Sequence, residues 1–126
     1  MAREIKYRAW YKYAKRMQEV LTIDFINKKV FLSADKSGIP RNYLYFDDCE
    51  LMQYTGLKDK TGKEIYEGDI FETPFWVAVV EWDENNGRFL GFTVSKERRI
   101  VYVGRQPEPA KIIGNIYENP ELLKHK

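Results

Sequence analysis

Along most of the chain, apolar residues fall in short runs broken by polar and turn-forming residues, a pattern that predicts short strands. Ile5, Tyr7 and Ala9 alternate with Lys6, Arg8 and Trp10, the period-two pattern of a half-buried strand. Tyr11–Arg16 is polar and basic, as suits an exposed turn. Val20–Ile26 and Val30–Leu32 flank Asn27-Lys28-Lys29 and predict a hairpin. Ser33–Asn42 holds Gly38 and Pro40 among polar residues and reads as a loop, followed by a short aromatic strand at Tyr43–Phe46. Phe75–Trp82 is β-branched and aromatic, and Arg88–Val94 is its predicted partner. Between them lies Asp83-Glu84-Asn85-Asn86-Gly87, whose Asn-Gly end supplies the positive φ of a tight reversal. Ile100–Val103 and Lys111–Ile116 read as two further strands. The Gly104–Pro109 segment that separates them contains two prolines, which cannot donate to a central ladder.

Helical signals are confined to two places. Asn119 is a good N-cap, Pro120 suits the first helical position and Glu121 favours the positive end, so one short C-terminal helix is predicted, with Leu122 and Leu123 packing back on a sheet. Tyr13, Met17, Val20 and Leu21 also have helical spacing, which makes a helix over Tyr11–Leu21 the alternative to strand there.

The block Leu51–Ile70, LMQYTGLKDKTGKEIYEGDI, is dense in architectural signals. Gly56, Gly62 and Gly68 read as structural turns. Gly68-Asp69-Ile70 reads as the start of a barrel strand: the glycine permits the bend, Asp69 accepts from nearby backbone N–H groups and the isoleucine begins the inward face. Leu57, Ile65 and Ile70 are the expected anchors. A composition shift near Leu51 divides one 126-residue chain into a β-rich lobe, 1–50, and a second lobe, 51–126, with strands at the spacing of a small barrel. The predicted class is therefore mostly β (α+β), with an SH3-like barrel portion and one short C-terminal helix.

Composition narrows the class of function. Aromatic residues make up 15% of the chain, which favours pleated surfaces and contacts between subunits. A net charge of +2 is small for a domain that grips a polyanion. Cys49 is the only cysteine, so an intrachain disulfide is excluded and a reducing compartment is expected. The opening MAREIKYRAWYKYAKRM has no apolar core, and no run approaches the ~20 residues of a membrane span. A cytoplasmic protein with no membrane partner is the expectation.

No catalytic, cofactor or metal site emerges. His125 stands beside the C-terminus, where a catalytic group would be poorly held. Cys49 lies between Asp48 and Glu50, which raise a thiol's pKa. Asp47, Asp48 and Glu50 lack the spacing of a calcium loop, Asp83 and Glu84 read as turn residues, and Gly62-Lys63-Glu64 lacks the hydroxyl of a phosphate loop. Two binding readings are left. Trp10, Trp76 and Trp82 are candidate anchors for protein contacts. Lys28, Lys29, Lys96, Arg98 and Arg99, each near aromatic residues, together with the basic Lys12, Lys15 and Arg16, are candidate contacts for single-stranded nucleic acid.

Three segments taken together carry a resemblance: YRAWYKYAKRM at Tyr7–Met17, the Leu51–Ile70 block, and IIGNIYENPEL at Ile112–Leu122. In this order they resemble the YopX family of bacteriophage and prophage proteins. The resemblance implies a phage or prophage origin, a cytoplasmic product, a β-rich fold with an SH3-like barrel portion, and self-association. It implies no reaction and no catalytic residue. Tyr11 follows Ala-Trp where the family often has an acid, so no role for an acid carries over to that position. The expected function is a non-enzymatic interaction module that forms a homo-oligomer or binds a host or phage protein, with nucleic-acid binding as the alternative.

Overall fold

The computed structural model describes residues 4–32, 42–102 and 110–124. The loops expected around Gly38 and Pro40 and over Gly104–Pro109, and His125, lie outside the described residues. The chain forms two compact units, Ala2–Gln53 and Tyr54–Lys126. It is mostly β, and its strand pairings are antiparallel.

The first unit contains β1 (Tyr7–Tyr11), β2 (Arg16–Asp24), β3 (Lys29–Leu32), β4 (Tyr43–Tyr45), a 3-10 turn at Phe46–Asp48 and the first half of β5 (Cys49–Lys58). Their order is β4-β3-β2-β1-β5. Ala9 sits opposite Gln18 on one side and Leu51 on the other, and packs with Val30, Leu32, Leu44 and Cys49 in the core. The helix alternative over Tyr11–Leu21 is overturned. Val20, Thr22 and Ile23 are β-branched and fit the pleat, and pairing with β1 and β3 takes up the backbone groups of β2. Register passes from Val20–Leu32 to Thr22–Phe31, so Leu21 is the extra residue of a bulge.

The second unit contains the rest of β5, β6 (Glu64–Tyr66), β7 (Asp69–Glu72), β8 (Val77–Asp83), β9 (Arg88–Thr93), β10 (Ile100–Val101) and β11 (Lys111–Asn115). β6 pairs with β5, and a five-stranded sheet runs β10-β9-β8-β7-β11. Ile65, Phe71, Ala78, Val80, Val101 and Ile112 form its core.

The predicted C-terminal helix is only a 3-10 turn, Pro120–Leu123. Asn119 makes no side-chain cap there, because its Oδ1 accepts instead from the backbone N–H of Asn115 at 3.2 Å. A cap used to close the end of β11 is lost to the helix.

The Leu51–Ile70 block also differs in part from its reading. Gly56 is not a corner between elements: it lies inside β5 at φ 86, where the register with β6 is irregular. Thr55 serves this irregularity, its hydroxyl donating to the Ile65 carbonyl at 2.7 Å and accepting from Leu57 N–H at 3.2 Å. Leu57 is consequently turned outward, 36% exposed, and anchors nothing, while Ile65 and Ile70 are buried. Gly62 lies in the turn between β5 and β6. Gly68 lies in the turn between β6 and β7 at φ 87, its N–H donating to the Val80 carbonyl and its own carbonyl accepting from Ile116. Asp69 is buried, and its Oδ2 accepts from Tyr66 N–H at 2.8 Å.

Candidate functional site

The three tryptophans fall in different settings. Trp10 is half-buried in β1, opposite Met17 and Glu50. Trp82, on β8, is 45% exposed and packs edge-on against Phe89 with ring centroids 4.9 Å apart. Trp76 closes the turn between β7 and β8. There the Thr73 hydroxyl accepts from Phe75 N–H and Trp76 N–H, and Thr73 N–H donates to the Trp76 carbonyl. This tight reversal pushes Phe75 and Trp76 outward. Both line a groove of about 830 Å³ in the second unit. Val77, Ile113 and Leu122 add apolar surface to it, and Glu72, Lys96, Glu97, Arg99, Glu121 and Lys124 supply charges of both signs. The far lip is fixed by Thr93, whose backbone N–H donates to the Arg99 carbonyl and whose hydroxyl accepts from Arg99 N–H, both at 2.9 Å.

The basic candidates divide between the units. Lys28 takes a left-handed conformation (φ 57) at the end of the β2–β3 turn. Lys29 opens β3, with its ammonium 4.7 Å from the Tyr43 ring and 5.5 Å from the Tyr45 ring. In the second unit, Arg98 donates to Glu81 at 2.6 Å and lies over the Phe92 ring, and Arg99 donates to Glu97 at 2.8 Å and lies 5.7 Å from the Trp76 ring. Two of the three cations there are already engaged with carboxylates. Lys96 lines the groove.

Groups with reactive potential serve the architecture. Cys49 is buried, and burial, reinforced by the neighbouring Asp48 and Glu50, pushes its thiol up to about 11. It is therefore protonated and unreactive near neutral pH. No group of three or more His, Cys, Asp or Glu among the described residues could hold a metal ion.

Two aspartates escaped the sequence reading. Asp24 ends β2 and pins the turn after it: Oδ1 accepts from Ile26 N–H and Asn27 N–H, both at 3.0 Å, and Oδ2 from the Asn27 amide at 2.8 Å. The side-chain and backbone hydrogen bonds from Asn27 hold its carboxyl below the usual range. Phe25 and Ile26 stand out at this tip, 71% and 90% exposed. Asp59, by contrast, is buried. Its Oδ1 accepts from Thr61 N–H, the Thr61 hydroxyl and Lys63 N–H, and its Oδ2 from Ile112 N–H at 2.9 Å. Burial opposes its charge, but the Ile112 N–H and the donors of Thr61 and Lys63 outweigh it and hold the carboxyl at about 2. Lys60 N–H also donates to the carbonyl of Ala110, just before β11, so the 59–60 loop takes up backbone groups at the start of β11, the terminal strand of its sheet. Asp59-Lys60-Thr61-Gly62 is a readable local turn signal. The link to Ile112 has no sequence signal.

The sequence model of the family described as YopX protein matches residues 6–124. Among solved structures, the crystal structure of protein EF1440 from Enterococcus faecalis is similar over 98% of this chain and 100% of that one, at 29% identity and a TM-score of 0.68. Among curated proteins, none matches. No helix among the described residues is long and apolar enough to cross a membrane.

Proposed function

The chain belongs to the YopX family, and from that premise we propose that it is a non-enzymatic phage or prophage accessory protein that self-associates in the cytoplasm of its bacterial host. The observation that carries this reading is the set of large apolar side chains left at the surface. Phe75 and Trp76 stand beside a groove, Trp82 is half-exposed, and Phe25 and Ile26 project from a pinned turn. Scattered exposed apolar residues are ordinary, whereas grouped ones mark contact surfaces. The non-enzymatic reading is supported by Asp59 and Asp69, whose carboxylates are spent on backbone N–H groups, and by the protonated thiol of Cys49. The meander β7-β8-β9-β10, with β11 returning beside β7, supports reading the second unit as an SH3-like barrel. Sedimentation velocity over a concentration series into the high micromolar range tests the proposal. A mass that rises with concentration supports it, and a strict monomer throughout overturns it.

One observation favours binding of single-stranded nucleic acid as the second reading. Lys29 lies against Tyr43 and Tyr45, and the Phe31, Tyr43 and Tyr45 rings form a row at 6.0 and 5.8 Å spacing on β3 and β4. Rings beside a cation are the elements of a stacking platform. Affinity for a labelled oligonucleotide then falls steeply as salt rises, because phosphate contacts release counterions. Fluorescence anisotropy unchanged at low salt removes this reading.

A further inference from the structure

Each unit is a four-strand antiparallel meander whose fifth strand returns beside the first. The order is β4-β3-β2-β1-β5 in the first unit and β10-β9-β8-β7-β11 in the second, so β1 to β5 match β7 to β11 strand for strand. The hairpin between the second and third strands matches in detail. Four residues connect β2 to β3, and four connect β8 to β9. An aspartate ends the incoming strand in both, opposite a basic residue, Asp24 with Lys29 and Asp83 with Arg88. Asp24 Oδ1 accepts from Ile26 N–H and its Oδ2 from the Asn27 amide. Asp83 Oδ1 accepts from Asn85 N–H at 3.1 Å and its Oδ2 from the Asn86 amide at 2.9 Å. The last turn residue is left-handed in each, Lys28 at φ 57 and Gly87 at φ 65. We propose that the two units are a tandem repeat, two copies of one five-strand module.

The cores correspond through the same register. Ala9 pairs with Gln18 and Leu51, and Phe71 pairs with Ala78 and Ile112. Counted onward from the shared turn, Val30 matches Phe89 and Leu32 matches Gly91. Leu44 on the fourth strand of the first unit and Val101 on that of the second are both buried in their cores. The side chains differ, but in a compensating way. The first copy sets the small Ala9 on its first strand and the large Leu32 on its third, whereas the second sets Phe71 and Gly91 at these places. A Cβ at Gly91 would lie 2.6 Å from Phe71 Cζ, so the ring fills the space of the missing side chain. A core of given shape keeps its volume when a large and a small residue trade places. A repeat held by turn hydrogen bonds and by summed core volume keeps few identical residues, which is why no sequence period shows it. The match also separates framework from specialisation. β2 carries the Leu21 bulge, which β8 lacks. Glu84 and Asn85 stand where the first copy has Phe25 and Ile26, so the aspartate-pinned turn needs no apolar residue.

Urea unfolding of full-length variants tests the repeat. Ala9→Phe alone overpacks a closed core and Leu32→Ala alone opens a cavity, so each is expected to lower the midpoint. Together they copy the large-on-first, small-on-third arrangement of the second unit. The double variant should therefore lose less than the two single losses added together. If Ala9→Phe does not fold by circular dichroism, a folded double variant is the same rescue in a stronger form. Losses that simply add, or a double variant that does not fold, overturn the repeat. The turn supplies an independent arm. Ile26→Asn gives the first copy the residue that the second carries at position 85 and is expected to leave the midpoint unchanged. A clear loss there would make Ile26 part of the framework, and the turns would no longer be equivalent, which also overturns the proposal.

Discussion

Asp24 and Asp59 anchor turns with the same chemistry and opposite outcomes. Both carboxylates accept from backbone N–H groups two or more residues ahead and from a side chain within the turn. The hydrogen bonds of Asp24 are all local, its turn faces solvent, and the residues it holds are the most exposed apolar ones nearby. Asp59 keeps one oxygen for Ile112, far along the chain, and is buried. A local acceptor shapes a turn, whereas an acceptor with one oxygen to spare ties that turn to a strand edge. Such an edge left open is a site for unwanted pairing, so the Asp59 loop protects where the Asp24 tip exposes.

The largest expected effect breaks this comparison at Asp59. Asp59→Ala leaves the buried Ile112 N–H and the Thr61 and Lys63 N–H groups without their acceptor and should cost about 3 kcal/mol or more, read as a lower urea midpoint at an unchanged slope. The same variant should aggregate sooner, since the N–H of Ile112 on β11 becomes available for pairing. A midpoint equal to that of the native protein would show that the loop merely rests against the strand.

Titration sharpens the same point. The folded-state value of Asp59, about 2, lies below its ordinary value of 3.8. The ionised carboxylate therefore stabilises fully above pH 3.8, and that contribution is lost as pH falls toward 2. The stability difference between the native protein and Asp59→Asn should shrink across this window. A difference that stays flat would mean that geometry, not charge, makes the contact.

Gly68→Val comes next. At φ 87 a β-branched side chain meets the following carbonyl, and strain of about 2 kcal/mol is expected. The damage should appear in thermal unfolding before any binding property changes. A variant that unfolds normally but no longer associates would instead place Gly68 at a contact surface.

Much of the fold was legible from two signals. Alternation reports the pleat directly at Tyr7–Ala9, while Val30–Leu32, Val77–Trp82 and Arg88–Thr93 are legible as short β-branched and aromatic runs bounded by turn residues. The misreadings share one physical origin. Phe25 and Ile26 continue the apolar pattern of β2, yet the strand ends at Asp24, because that carboxylate captures the next N–H groups. Asn119 has the identity of a helix cap but spends its oxygen on Asn115. Gly56 has the identity of a corner but relaxes a strand from within. In each case residue type fixed what could be donated or accepted, while the partner was chosen by tertiary structure. The candidate groove was the least legible feature. Trp76 was singled out from sequence, but its groove draws on Ile113 and Leu122, which only the folded sheet brings beside it.

Asp24→Ala is expected to have the smallest effect on stability and the most telling one on binding. Its hydrogen bonds all lie within one exposed turn, and the groups they satisfy turn to water when the carboxylate is removed. Unfolding should therefore change far less than in Asp59→Ala. The tip, however, would no longer hold Phe25 and Ile26 in one arrangement. If the tip is part of the self-association surface, association should weaken several-fold while the apolar side chains remain, because freedom lost on binding is then no longer lost in advance. Sedimentation of Asp24→Ala beside Ile26→Asp separates these contributions: rigidity alone in the first, apolar contact in the second. If Asp24→Ala associates as tightly as the native protein, the pinned turn has no part in binding, and the contrast with Asp59 reduces to how deeply each carboxylate is buried.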